Sequence, residues 1–269
     1  ALARSHPDGR GGRPTIDAHS ARPPVLVIEK TQGIALRTAP YANTSRFVLW
    51  LTPDHGRIAT LIKGALRPKS FFLGQFDLFY TCELLFYARE RGGVHIAREC
   101  APIRYRPAFR RDWRACMLAS YLADLIARAL PAHAPIPRVF DWLESTLDAL
   151  TEPRAQLETV FSAELQLLDI LGFRPSLRRC SLCGASVRPA PGQSFFSSRS
   201  GGVVCPACVS GASRAEPVPP DALMLLAKWQ SATSLRAART MRCSDRQARI
   251  VARILEDFLR YHLEVTLES

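Results

Sequence analysis

The 269-residue chain has no run of about 18 apolar residues, the length that a membrane-spanning helix needs, and no visible secretory leader. A membrane span is therefore not expected, and paired disulfides, which belong to exported chains, are disfavoured. No GxxxxGK[ST] or GxGxxG loop is present to cradle a nucleotide, so intrinsic ATPase activity is not expected. Acid is scarce: 24 Asp and Glu stand against 36 Lys and Arg, a formal net charge of +12 with a pI near 9.8. The acids that exist are scattered along helical stretches, as Glu158, Glu164 and Asp169 are, without the clustering a two-metal nuclease requires. Glu164 reads as a helix-packing partner, for instance to an Arg. Lys63 is followed by Gly64-Ala65 and lacks the Asp of a ligase-type KxDG. The histidines are isolated; Asp54-His55 falls in a predicted hairpin turn, and no Ser/His/Asp grouping can be argued. These absences point away from an enzyme, while the positive charge points to a polyanionic partner.

The charge is not spread evenly. Residues 1–24 carry four Arg against two Asp in a Gly/Pro/Ser-rich stretch without apolar periodicity, read as a flexible tail, either a start-site extension or a DNA-binding arm. Residues 25–100 carry ten basic against six acidic side chains, and positions 55–76 hold Arg57, Lys63, Arg67 and Lys69 with no acid at all. Residues 101–179 are nearly balanced, eleven against nine.

The N-terminal unit, 25–104, reads as β. VLVIEKTQGIALRT, RFVLWLT, RIATLIK, FDLFYTCELLFYAR and GVHIARE are rich in β-branched and aromatic residues and are separated by TPDHG, GALRPKS and RERGG. Five strands without a covering helix predict a small closed barrel of the OB type. Alternation in RIATLIK places Arg57, Ala59, Leu61 and Lys63 on one face and Ile58, Thr60 and Ile62 on the other. The following loop adds Arg67 and Lys69 beside Phe71 and Phe72. Cations for phosphates next to flat rings for bases make a single-strand groove. Taken singly, Phe71, Phe72, Phe76 and Phe79 each read better as barrel core. Arg37, Arg46, Arg104, Arg106, Arg110 and Arg111 extend the candidate DNA path or form a solvated domain junction.

From 105 to 269 the pattern is helical: DWRACMLASYLADLIARAL, VFDWLESTLDAL, RAQLETVFSAELQLLDILGF, DALMLLAKWQSAT and DRQARIVARILEDFLRYHLEV. The fold class is thus α+β. Into the helices is inserted a module at 178–211 with two CxxC pairs, Cys180 with Cys183 and Cys205 with Cys208, 21 residues apart. Each CxxC turn aims two sulfurs at one point, and two turns complete a four-thiolate shell, the chemistry of structural zinc. Such a closed site has no open coordination position and predicts a structural rather than a catalytic metal. Cys82, Cys100, Cys116 and Cys243 stand singly among apolar residues and read as small core residues.

The order GIALRT…Y, TPDHGRI, KGALRPKS, then F-x-x-E-L-x-x-L-x-x-x-G-F-x-P and C-x-x-C…FS…GG-x-x-C-x-x-C resembles the RecO family of bacterial recombination mediators. Lys63-Gly64-Ala65, Ser70, Phe161, Glu164, Leu165, Leu168, Gly172, Pro175, the four cysteines, Phe196-Ser197 and Gly201-Gly202 carry it, over nearly the whole chain outside the N-terminal tail. The resemblance implies an OB-fold, a helical domain and a zinc finger. It implies binding of single- and double-stranded DNA and annealing of complementary strands. It also implies work with RecR, and in some bacteria RecF, to help RecA displace single-strand-binding protein (SSB). An Arg-rimmed apolar groove of the helical domain would take the acidic SSB tail, and the setting would be cytoplasmic, on the nucleoid. Some family members lack the zinc ligands; the long tail here departs from the family pattern. Two other readings compete: a nucleic-acid-modifying enzyme, and a duplex binder using the Arg-rich segment SLRAARTMRCSDRQARIVARI as a recognition helix.

Overall fold

The computed structural model describes residues 27–89, 93–152, 157–190 and 193–264; the expected tail at 1–24 lies outside them. Strands β1 (Val27–Tyr41), β2 (Ser45–Thr52), β3 (Gly56–Ile62), β4 (Thr81–Ala88) and β5 (His95–Arg104) close a barrel in the order β1-β2-β3-β5-β4. β1 is long enough to serve two partners. Its first half pairs with β4 and its second half with β2, and an irregularity between Ala35 and Arg37 bends it from one to the other. The short β3–β5 contact is parallel and closes the ring, which makes this an OB-type barrel.

Alternation fills the interior as expected: Ile58, Thr60 and Ile62 of β3 are buried beside Val48, Trp50, Leu84 and Phe86. The one polar end of Trp50 is satisfied, since its Nε1 donates to buried Thr60 Oγ1 at 2.9 Å. The strand expected over FDLFYTCELLFYAR begins only at Thr81. Phe79 has φ +65°, which breaks the extended backbone while its ring is buried edge-on against Phe109.

After the barrel, Asp112 caps α1 (Trp113–Ala129) by accepting from the Arg114 and Ala115 amides. Next come α2 (Pro137–Thr151) and α3 (Leu157–Ile170). A three-stranded sheet follows: β6 (Phe195–Ser197), β7 (Gly202–Val204) and β8 (Glu216–Pro217), in the order β7-β6-β8. The chain ends its described part in α4 (Pro220–Gln230), α5 (Leu235–Ala238) and α6 (Asp245–Leu263). Ile34, Leu36 and Leu51, on the outside of β1 and β2, join the helical core, so the helices pack on the barrel wall while the barrel keeps a separate interior. The segment read as a possible recognition helix is broken between α5 and α6, where Ser244 and Gln247 form a capping box. α6 then buries Val251, Ile254, Leu255, Phe258 and Leu259, the face that closes the bundle.

α3 is buried on almost every side, Glu158 and Glu164 included. Glu164 does not meet an Arg, contrary to the expectation; Tyr121 of α1 donates its hydroxyl to Glu164 Oε1, and Oε2 has no partner. Burial, reinforced by Glu256, pushes the carboxyl up to about 7 against the opposing Tyr121 hydrogen bond. A carboxyl raised in the folded state binds more protons there than in the unfolded chain. Its contribution is complete below the unfolded value of about 4.3 and is lost as pH rises through about 7. Denaturant titrations from pH 4.5 to 7.5 are expected to show stability falling over that window in the wild type and a flatter profile in Glu164→Gln. An equal slope in both would assign the titration elsewhere.

Candidate nucleic-acid interface and metal centre

The barrel separates the candidate cations into two groups. At one end, Arg46 opens β2 and lies opposite Ile62, one residue before Lys63. The β1–β2 turn is tied to the β3–β4 loop where the Leu66 amide donates to the Thr44 carbonyl at 2.9 Å. Lys63, Arg67 and Lys69 are exposed, and none has a carboxylate within 4 Å among the described residues. Lys63 follows directly on the end of β3, on whose outward face the half-buried Leu61 lies opposite Phe47. This end therefore presents unopposed positive charge beside apolar surface on strands 2 and 3, the face on which OB barrels bind oligonucleotides.

At the other end lies the junction with the helices. Arg57 is held there by its backbone, whose carbonyl accepts from the His133 amide at 3.1 Å. Its Nε is buried without a partner, and burial together with the charge of Arg37 holds the guanidinium below its usual range. Arg37 pairs with Asp124 of α1, and Arg104 reaches Asp148 at 2.7 Å and Glu144 at 3.4 Å on α2. Arg106 corrects the expectation of a phosphate contact, because its side chain is only 1% exposed. Its Nε donates to Asp148 Oδ1 at 2.7 Å, and its Nη1 donates to the Phe79 carbonyl at 2.6 Å and to Thr81 Oγ1 at 3.1 Å. Arg110 is paired with Asp77. The aromatics also divide: Phe79 is core and Phe72 and Phe76 pack under the barrel, but Phe71, expected inside, is 97% exposed.

In the inserted module the sulfurs of Cys180, Cys183, Cys205 and Cys208 all lie within 4.8 Å of one another. Cys183 Sγ and Cys205 Sγ are 3.8 Å apart, too far for a disulfide. Four sulfurs about 2.3 Å from a central ion would be separated by about 3.8 Å, so the donor set fits a tetrahedral metal. Burial alone would raise the Cys180 thiol. The amides of Cys205, Cys183 and Leu182 outweigh it and bring the group down to about 6, favouring the thiolate that a metal requires. Cys82 and Cys100 are buried in the barrel and Cys116 and Cys243 are half-buried against the helical core, as core residues would be.

Sequence comparison agrees with both halves of this architecture. The family model for the recombination protein O N terminal matches residues 27–106, and that for its C terminal matches 110–269. The chain belongs to the RecO family. It is 32% identical over 237 residues to the DNA repair protein RecO of Roseiflexus sp. (strain RS-1), covering 88% of this chain and 82% of that one. It is 29% identical over 236 residues to RecO of Anaeromyxobacter sp. (strain K), covering 87% and 91%. With RecO of Rhodopirellula baltica the figures are 28% over 204 residues, covering 76% and 72%.

The residues that carry the RecO resemblance have structural reasons here. In Lys63-Gly64-Ala65, Gly64 turns the chain at φ +68° and Ala65 plugs the barrel core. Behind the FS…GG pattern, a Cβ on Gly202 would lie 2.2 Å from the Ser176 carbonyl oxygen, so only glycine lets β7 approach the first CxxC arm. No helix among the described residues of this RecO-family chain is long and apolar enough to cross a membrane.

Proposed function

We propose that the protein binds single- and double-stranded DNA through the free end of its barrel and anneals complementary strands without bond-making chemistry of its own. The observation that carries this is the cluster of exposed, unopposed Lys63, Arg67 and Lys69, with Arg46 beside them. Neutralising the phosphates of two strands on one surface removes the repulsion that slows their pairing. In the cell this would help RecA load on SSB-coated DNA together with RecR, and in some bacteria with RecF, as the family resemblance implies.

The four thiolates would hold one zinc ion, which supplies folding energy to the module and no reaction step. An acidic SSB tail would find matching chemistry in the helical domain. A cleft of about 440 Å³ there sets Arg236, Arg239 and Arg242 beside Glu152 and Glu158, with Arg239 paired to Glu152, and a second of about 520 Å³ lies where β6 meets α6, with Arg199 and Arg214 on its rim.

The test is the triple substitution Lys63→Ala, Arg67→Ala, Lys69→Ala, assayed by oligonucleotide binding across salt and by annealing of SSB-coated strands. With a slope of about −0.7 per phosphate neutralised, losing three contacts flattens the salt dependence by about 2. At 0.1 M salt the affinity falls about a hundred-fold, and strand lengths stay intact on a denaturing gel. Unchanged binding by the folded variant would move the DNA path elsewhere; shortened or joined strands would reveal an active site.

A further inference from the structure

We propose that Phe71 is a stacking platform for one unpaired base, held so that the base's pairing edge remains open to a complementary strand. This rests on the DNA-binding reading above and adds to it a specific contact that no charge count reveals.

Three observations carry it. Phe71 is 97% exposed, and Leu73 and Leu66 beside it are 66% and 46% exposed. An apolar ring so fully in water is anomalous in a loop that buries its neighbour, for Phe72 and Phe76 are tucked against the barrel core.

The loop is also tied by its own hydrogen bonds. Ser70 donates its amide to the Arg67 carbonyl at 3.0 Å, Leu73 to Ser70 at 3.2 Å and Gln75 to Phe72 at 3.1 Å. Ser70 Oγ accepts from the Phe72 amide at 3.2 Å, and the Gln75 carbonyl accepts from the thiols of Cys82 and Cys100 at 3.5 and 3.6 Å. Phe71 is thus displayed by anchors on both sides.

Finally, the surrounding charge selects the partner. Lys63, at the start of the loop, and Arg67 and Lys69 within it are exposed with no carboxylate within 4 Å among the described residues, so the loop is complementary to a polyanion. In a duplex the base faces are already stacked, and reaching one means prising a step apart. In a single strand they are free. Stacking occupies the π-face of a base and leaves its Watson–Crick edge unengaged. A base held this way, with its flanking phosphates neutralised, is preorganised to pair.

The experiment uses the full chain, a single-stranded oligonucleotide containing 2-aminopurine, and the variants Phe71→Ala, Phe71→Trp and Phe71→Leu. Wild type is expected to quench the probe. Phe71→Ala should weaken binding about five-fold or more, slow annealing, and keep the salt slope, because no phosphate contact is lost. Phe71→Trp should restore quenching and annealing; Phe71→Leu should not. Binding by Phe71→Ala within about two-fold of a wild type that does bind overturns the stacking role and leaves the DNA reading standing. Full rescue by Phe71→Leu overturns it in favour of simple apolar contact. Loss of binding to phosphatidylserine vesicles in Phe71→Ala, with oligonucleotide binding kept, overturns it in favour of a membrane surface. A wild type that binds no oligonucleotide overturns the DNA reading itself.

Discussion

Cys180→Ser is expected to abolish metal binding and to unfold the segment from Ser176 to Val218 while leaving the barrel folded. The module's strands are only three, three and two residues long, too short to hold a sheet by pairing alone. What fixes them is the convergence of two CxxC turns on one point, and in small zinc peptides that convergence is worth about 10 kcal/mol or more. Cys180 is the buried ligand, and its Sγ also accepts the Cys205 amide at 3.4 Å, so its loss uncouples one turn from the other. Val203 and Val204 of the module belong to the helical core, and their release should lower the melting temperature by roughly 10 °C. Elemental analysis and hydrogen exchange check this together. A variant that keeps stoichiometric metal and full protection of β6 and β7 would refute the role assigned to Cys180. Elemental analysis of the wild type identifies the ion. The salt slope of DNA binding should survive, because Lys63, Arg67 and Lys69 sit on the barrel.

The second large effect belongs to Arg106. It joins the turn before β4 to α2, its buried guanidinium donating to the half-exposed Asp148 and to the Phe79 carbonyl. Arg106→Ala removes a buried charge, leaves the Phe79 carbonyl without that donor and opens a cavity between barrel and helices. Removing one partner of a buried pair costs about 3–5 kcal/mol; Asp148 is 39% exposed and can rehydrate, so the lower figure applies. The expected fall in melting temperature is roughly 6–12 °C. Arg106→Lys should recover little of it, because one ammonium cannot reproduce a planar fork that meets several partners. Arg104→Ala, half-exposed on the same acids, should cost at most about 1 kcal/mol. Calorimetry on the three variants decides the matter: a melting point for Arg106→Ala within about 2 °C of wild type would show that the junction does not depend on it.

The two predictions differ in how far ahead the sequence could announce them. The convergence of the four cysteines was legible because its chemistry is local. Each CxxC turn is built within four residues, so the spacing alone says where the sulfurs point. The barrel strands were legible for the same reason: alternation in RIATLIK is a property of consecutive residues, and it decided that Ile58, Thr60 and Ile62 face inward. Where a strand ended was less clear, since the turn at Phe79 depends on what its ring packs against.

Arg106 could not be read in this way. Counting charge along the chain placed it in a basic run with Arg104, Arg110 and Arg111. The carboxylates that neutralise its neighbourhood come from α2, more than forty positions on in the case of Asp148. The same holds for Arg37 and Asp124, and for Glu164, whose partner proved to be a tyrosine of another helix. A window of sequence records which charges are near in the chain and is blind to those brought near by folding. Phe71 and Phe72 make the point most sharply: the two are chemically identical neighbours, and only the turns from Arg67 to Gln75 decide which ring packs against the barrel core and which meets solvent. The sequence by itself determined the elements, the four clustered cysteines and the family, because periodicity and short spacings are written within a few residues. The tertiary structure alone decided which cations remain free, because that depends on long-range pairing.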